Sequence, residues 1–211
     1  MPYGYGFYFD PTYILVVIGA LICLAASAKV KSTFNRYDRV RSMSGMTGAQ
    51  AAERILNSAG IYDVTVQHIS GNLTDHYDPR NKVLSLSDST YSSTSVAAVG
   101  VAAHECGHAI QHQTNYAPLN IRSAIVPVAN FGSSIAWPLI LIGLFFTSKT
   151  GTFLIDLGII CFSMAVLFQL VTLPVEFNAS SRAVKILENT GILGHEELQG
   201  TKKVLGAAAL T

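Results

Sequence analysis

Apolar and polar positions along this chain fall into blocks, and the blocks carry two different periodicities. Residues 11–28 form an uncharged stretch of 18 residues, close to the ~20 that a helix needs to cross a bilayer. Residues 123–148 form a second uncharged stretch of 26 residues between Arg122 and Lys149. Residues 153–173 form a third apolar span with Asp156 near its outer end, and residues 147–152 are expected as a tight loop between the two. Elsewhere the pattern is that of a folded domain. Ala51, Ala52, Ile55, Leu56 and Ala59 recur at helical spacing behind a capping box at Thr47 and Gln50, and Gly60 ends the run. Residues 62–69 alternate as a strand does, and residues 82–87 read as another. Asp78, Pro79, Arg80 and Asn81 supply turn chemistry between them. Residues 96–113 read as a helix, apolar nearly all round and therefore buried, with N-cap candidates at Ser92, Ser93, Thr94 and Ser95. After the third span, Ala179, Ala183, Ile186 and Leu187 continue at helical spacing to Gly191, and residues 195–210 read as a last helix. Its apolar tail resembles the start of a further span.

Half of the 211 residues are apolar and 13% are charged, about half the charged fraction usual in soluble domains. The expected fold is therefore a mainly α membrane protein with three transmembrane helices and a small α+β domain. It divides into residues 1–28 (an aromatic N-terminal segment suited to a membrane interface and the first span), 29–122 (the α+β domain), 123–173 (a transmembrane hairpin) and 174–211 (further helices). Lys29, Lys31, Arg36, Arg39 and Arg41 follow the first span, and no Lys or Arg precedes it. By the positive-inside rule the N-terminus lies outside and the domain lies in the cytoplasm of a multi-pass protein of the cell membrane. A net charge of +1, with no basic aromatic patch, gives no sign of nucleic-acid binding. Three scattered cysteines, Cys23, Cys106 and Cys161, do not suggest a disulfide framework.

The chemistry concentrates in the helix at 96–113, which contains His104-Glu105-Cys106-Gly107-His108, an H-E-x-x-H motif. Residues i and i+4 share one face of a helix, so the two imidazoles can bind one Zn²⁺, and Glu105 can reach a water that the metal acidifies. Cys106, two residues from each His, points elsewhere. His112 extends the row, but three His over two turns span about 12 Å, too far for a single ion. If the second and third spans form a hairpin, the residues after Leu173 emerge on the face that carries His104 and His108. Glu176 lies there, and catalytic zinc sites commonly take two His and one Glu. The expected function is a zinc-dependent endopeptidase acting on protein or peptide substrates at the cytoplasmic face of the bilayer, with Glu105 as catalytic base. Arg182, His76 and Tyr77 are candidates to donate to the oxyanion, and residues 82–87 to bind extended substrate by edge pairing. The alternative is a non-proteolytic scaffold or assembly factor with a closed structural zinc site, its fourth ligand from Cys106 or His76.

HECGHAIQH, preceded by HYDPRNKVLSLSDSTYSSTSVAAVGVAA and followed after two spans by LPVEFNASSRA, resembles the YugP-type neutral zinc metallopeptidases of bacterial membranes over nearly the whole chain. More distantly the chain is similar to the HtpX and CAAX prenyl protease group of gluzincins. That likeness implies a zincin-like α+β domain at residues 29–122 with zinc at His104, His108 and Glu176, and Glu105 as base. Where the distant group's motif has Asp four residues after the Glu ligand, this chain has Ser180, which can brace a ligand imidazole without adding charge.

Overall fold

The computed structural model describes residues 13–146 and 149–209. The aromatic segment at 1–10 and the tail at 210–211 lie outside the described residues, as do the first two residues of the expected 147–152 loop. Among the described residues, six helices and a three-stranded sheet run in the order α1 (Tyr13–Asp38), α2 (Gly48–Ser58), β1 (Thr65–His68), β2 (His76–Asp78), β3 (Val83–Leu86), α3 (Val96–Gln113), α4 (Ala117–Phe145), α5 (Lys149–Asn189) and α6 (His195–Ala208). α1, α4 and α5 are each long and apolar enough to cross a membrane. The fold is mainly α with a small α+β part.

The capping box at Thr47 and Gln50 starts α2, and α2 buries Ala51, Ala52, Ile55 and Leu56. They pack with Leu84 and Leu86 of β3, Val99 and Ala102 of α3, and Leu187 of α5 into the main core. Ser95 caps α3 by accepting from the Ala98 N–H, and its hydroxyl donates to Asp38 at the end of α1 at 2.8 Å. One side chain thus both starts α3 and ties it to the first span.

The sheet differs from a simple hairpin of the two expected strands. β1 and β3 pair in parallel, and β2 pairs antiparallel on the other side of β3, giving the order β1-β3-β2. The turn at residues 78–81 joins β2 to β3. β3 is central and hydrogen-bonded on both edges, so residues 82–87 cannot take substrate by edge pairing. The open edges of the sheet are those of β1 and β2.

The membrane hairpin is closer-knit than its apolar blocks suggest. α4 and α5 touch through small residues. A Cβ on Gly158 would lie 2.9 Å from the Ala136 carbonyl oxygen, and one on Gly143 2.8 Å from that of Gly151. Such close approach gives helices van der Waals contact where lipid offers no hydrophobic drive. Residues 149–152, expected in a loop, already belong to α5. The helix then continues through Pro174 as one element of 41 residues, roughly 60 Å long and about twice the thickness of the hydrocarbon core. Proline removes one hydrogen bond and strains the preceding turn, and membrane helices tolerate this where neighbours support them. Glu176 therefore rides on the same rigid element as the third span.

Candidate metal centre

α3 presents His104 and His108 one turn apart on one face, their rings edge-to-face at 4.8 Å between centroids. α5 crosses α3 beside them. A Cβ on Gly107 would stand 2.6 Å from the Ala179 backbone oxygen, so only glycine lets the two helices meet here. That approach brings Glu176 onto the His pair. Its Oε2 lies 3.1 Å from His104 Nε2 and 3.3 Å from His108 Nε2, and one potential ligand atom from each of the three residues lies within 4.8 Å of the others. Atoms about 2.0–2.1 Å from a tetrahedral ion are separated by about 3.3 Å. The donor set thus fits a zinc ion. Glu105 sits beside the group, only 8% exposed, at the border of both cavities that open on the site.

The outer nitrogens of both imidazoles are held. His108 Nδ1 lies 3.0 Å from Gln111 Oε1. The Gln111 amide cannot be flipped, because its NH₂ donates to the Val175 carbonyl at 2.9 Å and to Asn178 Oδ1 at 3.0 Å. His108 must then carry its hydrogen on Nδ1, which leaves the Nε2 lone pair for a metal. Ser180 Oγ takes the same place on His104, 3.1 Å from Nδ1. Burial alone would lower the His108 pKa, but the Glu176 hydrogen bond and the charges of Glu105 and Glu176 raise it above its ordinary value.

The remaining expected site residues divide. His76 and Tyr77, on β2, line a cleft of about 890 Å³ together with His104, Glu105, His108 and Glu176. The Tyr77 hydroxyl meets His112 Nδ1 at 2.9 Å. Burial, helped by Asp63 and Asp78, pushes its pKa up to about 12, so it remains a donor. His76 Nδ1 donates to the Thr74 carbonyl at 3.0 Å, so its Nε2 carries a proton only in the cationic form. Arg182 is drawn elsewhere: it donates to Asn178 Oδ1 at 2.8 Å and stacks over the Tyr116 ring. It braces the Gln111–Asn178 network and is not among the residues lining the cleft. Cys106 is buried with Sγ 3.6 Å from the Ala52 carbonyl oxygen, outside the cluster.

Two residues at the site lay outside the sequence-based expectation. Gln111 is fully buried, one turn beyond His108. Arg122, at the start of α4, places Nη2 3.5 Å from Glu176 Oε1. Gly107 was the available signal for the helix crossing, since glycine inside a helix costs about 1 kcal/mol relative to alanine and implies a close approach.

Residues 12–211 match the family described as "Putative neutral zinc metallopeptidase". The chain belongs to this family. It is 50% identical over 200 residues to the "Putative membrane protease YugP" of Bacillus subtilis (strain 168), across 94% of this chain and 88% of that protein. No solved structure matches the chain. Zinc and peptidase chemistry are what the family's description carries. The three apolar helices make this member a membrane protein.

Proposed function

We propose that the chain is a membrane-anchored, gluzincin-type endopeptidase that cleaves peptide bonds at the cytoplasmic membrane face, with His104, His108 and Glu176 holding zinc and Glu105 as general base. The observation that supports this best is the convergence of Glu176, from a membrane hairpin, on both Nε2 atoms of the H-E-x-x-H helix at 3.1 and 3.3 Å. Bound there, zinc supplies a Lewis acid that polarises the scissile carbonyl and acidifies a water. Glu105 accepts the proton of the attacking water and returns it to the leaving amine. Gln111 fixes His108 in the tautomer that offers Nε2, and Ser180 holds the Nδ1 side of His104 so that its Nε2 faces Glu176. Tyr77, protonated and on the cleft wall, is the donor best suited to a developing oxyanion. β2, the edge strand beside the cleft, is placed to take an extended peptide.

Lys29, Lys31 and Arg36 in the second half of α1, with Arg39 and Arg41 just after it, support an orientation with the N-terminus outside and the α2–α3 region in the cytoplasm. Residues 29–122 and 174–211 then form one cytoplasmic body around the hairpin at 123–173. Metal analysis combined with hydroxamate binding tests the site. One zinc per chain together with hydroxamate binding supports an open catalytic position. Full zinc occupancy without hydroxamate binding points to a structural ion in a scaffold protein.

A further inference from the structure

A second cavity, about 740 Å³, also reaches His104, Glu105 and Glu176, and its lining is mostly apolar, with Gln169 and Thr172 the polar side chains that α5 adds beside Glu176. One wall is a single stripe of α5, Val166, Leu170, Leu173 and Phe177, at the i, i+4, i+7, i+11 spacing of one helix face. Glu176 is the next position on that stripe, three residues beyond Leu173. The facing wall comes from Val101 of α3 and Leu205 of α6. From Glu176 to Val166 the stripe runs about 15 Å into the apolar span, half the depth of a hydrocarbon core. The polar cleft, which shares Glu105 and Glu176 with this groove, is bordered by Asp78, Arg80 and Arg122. The general base thus stands where an intramembrane apolar groove meets a polar cleft in the aqueous layer.

Whatever lies in this groove at membrane depth is apolar, and to react it must continue into the polar cleft as peptide. A soluble peptide meets only the second condition, and a lipid chain only the first. Resting on the endopeptidase reading, we propose that the groove binds the transmembrane segment of a membrane-protein substrate, and that cleavage falls in the few residues just past the cytoplasmic end of that segment. The bond broken is the peptide C–N of that juxtamembrane stretch. Water supplies the hydroxyl to the new carboxylate and a proton to the new amine. The apolar product remains in the bilayer and the polar product leaves through the cleft.

The test uses the full chain reconstituted in phosphatidylethanolamine/phosphatidylglycerol vesicles, with a photo-crosslinking p-benzoylphenylalanine in place of Leu170. The probe is a single-pass peptide of about twenty Leu and Ala residues followed by an unstructured polar tail. The same tail without the span is the control. In the Glu105→Gln background, crosslinks to the last two turns of the span, absent with the tail alone, are expected. In the otherwise native enzyme, Leu170→Trp and Val166→Trp should lower the ratio of spanning-peptide to free-tail cleavage at least tenfold. Crosslinks only to lipid, or only to this chain's own residues, overturn the proposal, as does an unchanged cleavage ratio. Span crosslinks with no cleavage of either peptide by the wild type leave the groove assignment standing and count against the endopeptidase reading. Cleavage of both peptides without span crosslinks does the reverse.

Discussion

Arg122 and Glu176 share one edge of the candidate metal centre: the guanidinium Nη2 lies 3.5 Å from Glu176 Oε1, while Oε2 is turned to the two histidines. The carboxylate is divided between a cation and the metal position. By engaging Oε1, Arg122 would leave Oε2 as the oxygen offered to a metal held with the two histidines. Arg122→Ala should lower zinc affinity about tenfold, at the low end for groups that brace a ligand, with Arg122→Lys intermediate. Chelator competition measures both.

Gln111 and Ser180 brace the two imidazoles by unequal means. Gln111 is fully buried and its amide also serves the Val175 carbonyl. Gln111→Ala should therefore weaken zinc binding about 10–100-fold and also lower the melting temperature. Ser180→Ala should cost less, because a single hydrogen bond is lost. Ser180→Asp places a charge on His104 Nδ1 and should tighten zinc binding. Isothermal titration and thermal unfolding separate the two effects.

Gly107→Ala should damage the site without touching a ligand. The added methyl meets backbone atoms of Ala179 at 2.6 to 3.2 Å, which no rotamer change relieves. Overpacking of this kind typically costs about 1–3 kcal/mol. Here the strain also pushes Glu176 away from the His pair, so zinc stoichiometry should fall at temperatures where the chain remains folded by circular dichroism.

His108 gives a pH signature. Its pKa in the metal-free protein is raised above the ordinary 6.5, so the folded chain holds that proton more tightly than the unfolded chain does. The resulting stabilisation of the metal-free form is full below pH 6.5 and is lost as pH rises through the raised value. Zinc binding runs the other way, since the ligand must lose its proton, and affinity should fall as pH drops through the same window. Melting curves of metal-free and zinc-loaded protein between pH 5.5 and 8.5 should therefore shift in opposite directions. Parallel shifts would show that His108 is not at the metal.

Much of the site's helix was legible in the sequence. The Ser95 cap and the run from Val96 to Gln113 are marked by side chains that act locally, and the capping box at Thr47 and Gln50 likewise. β2 was not legible: His76-Tyr77-Asp78 is short and polar, and its strand character comes from pairing with β3 rather than from its own pattern. Pro174 reads as a helix end in isolation, yet α5 passes through it because packing on both sides outweighs one lost hydrogen bond. Arg122 read as a charge flanking a span, since its contact with Glu176 is formed only when the hairpin closes.

The orientation of the chain can be tested independently of its chemistry. Single cysteines at the start of α5, near Lys149, should react with an impermeant maleimide added outside intact cells. Cysteines near Glu53 on α2 should react only after permeabilisation. The reverse pattern would move the cleft to the outer face.

The most direct measurement of the central claim is zinc content and peptide cleavage in Glu105→Gln, which keeps the shape of the side chain and removes its basicity. The account predicts one zinc per chain, as in the wild type, with cleavage lowered by at least about two orders of magnitude, as expected for loss of a general base. Undiminished cleavage by zinc-loaded Glu105→Gln would contradict it.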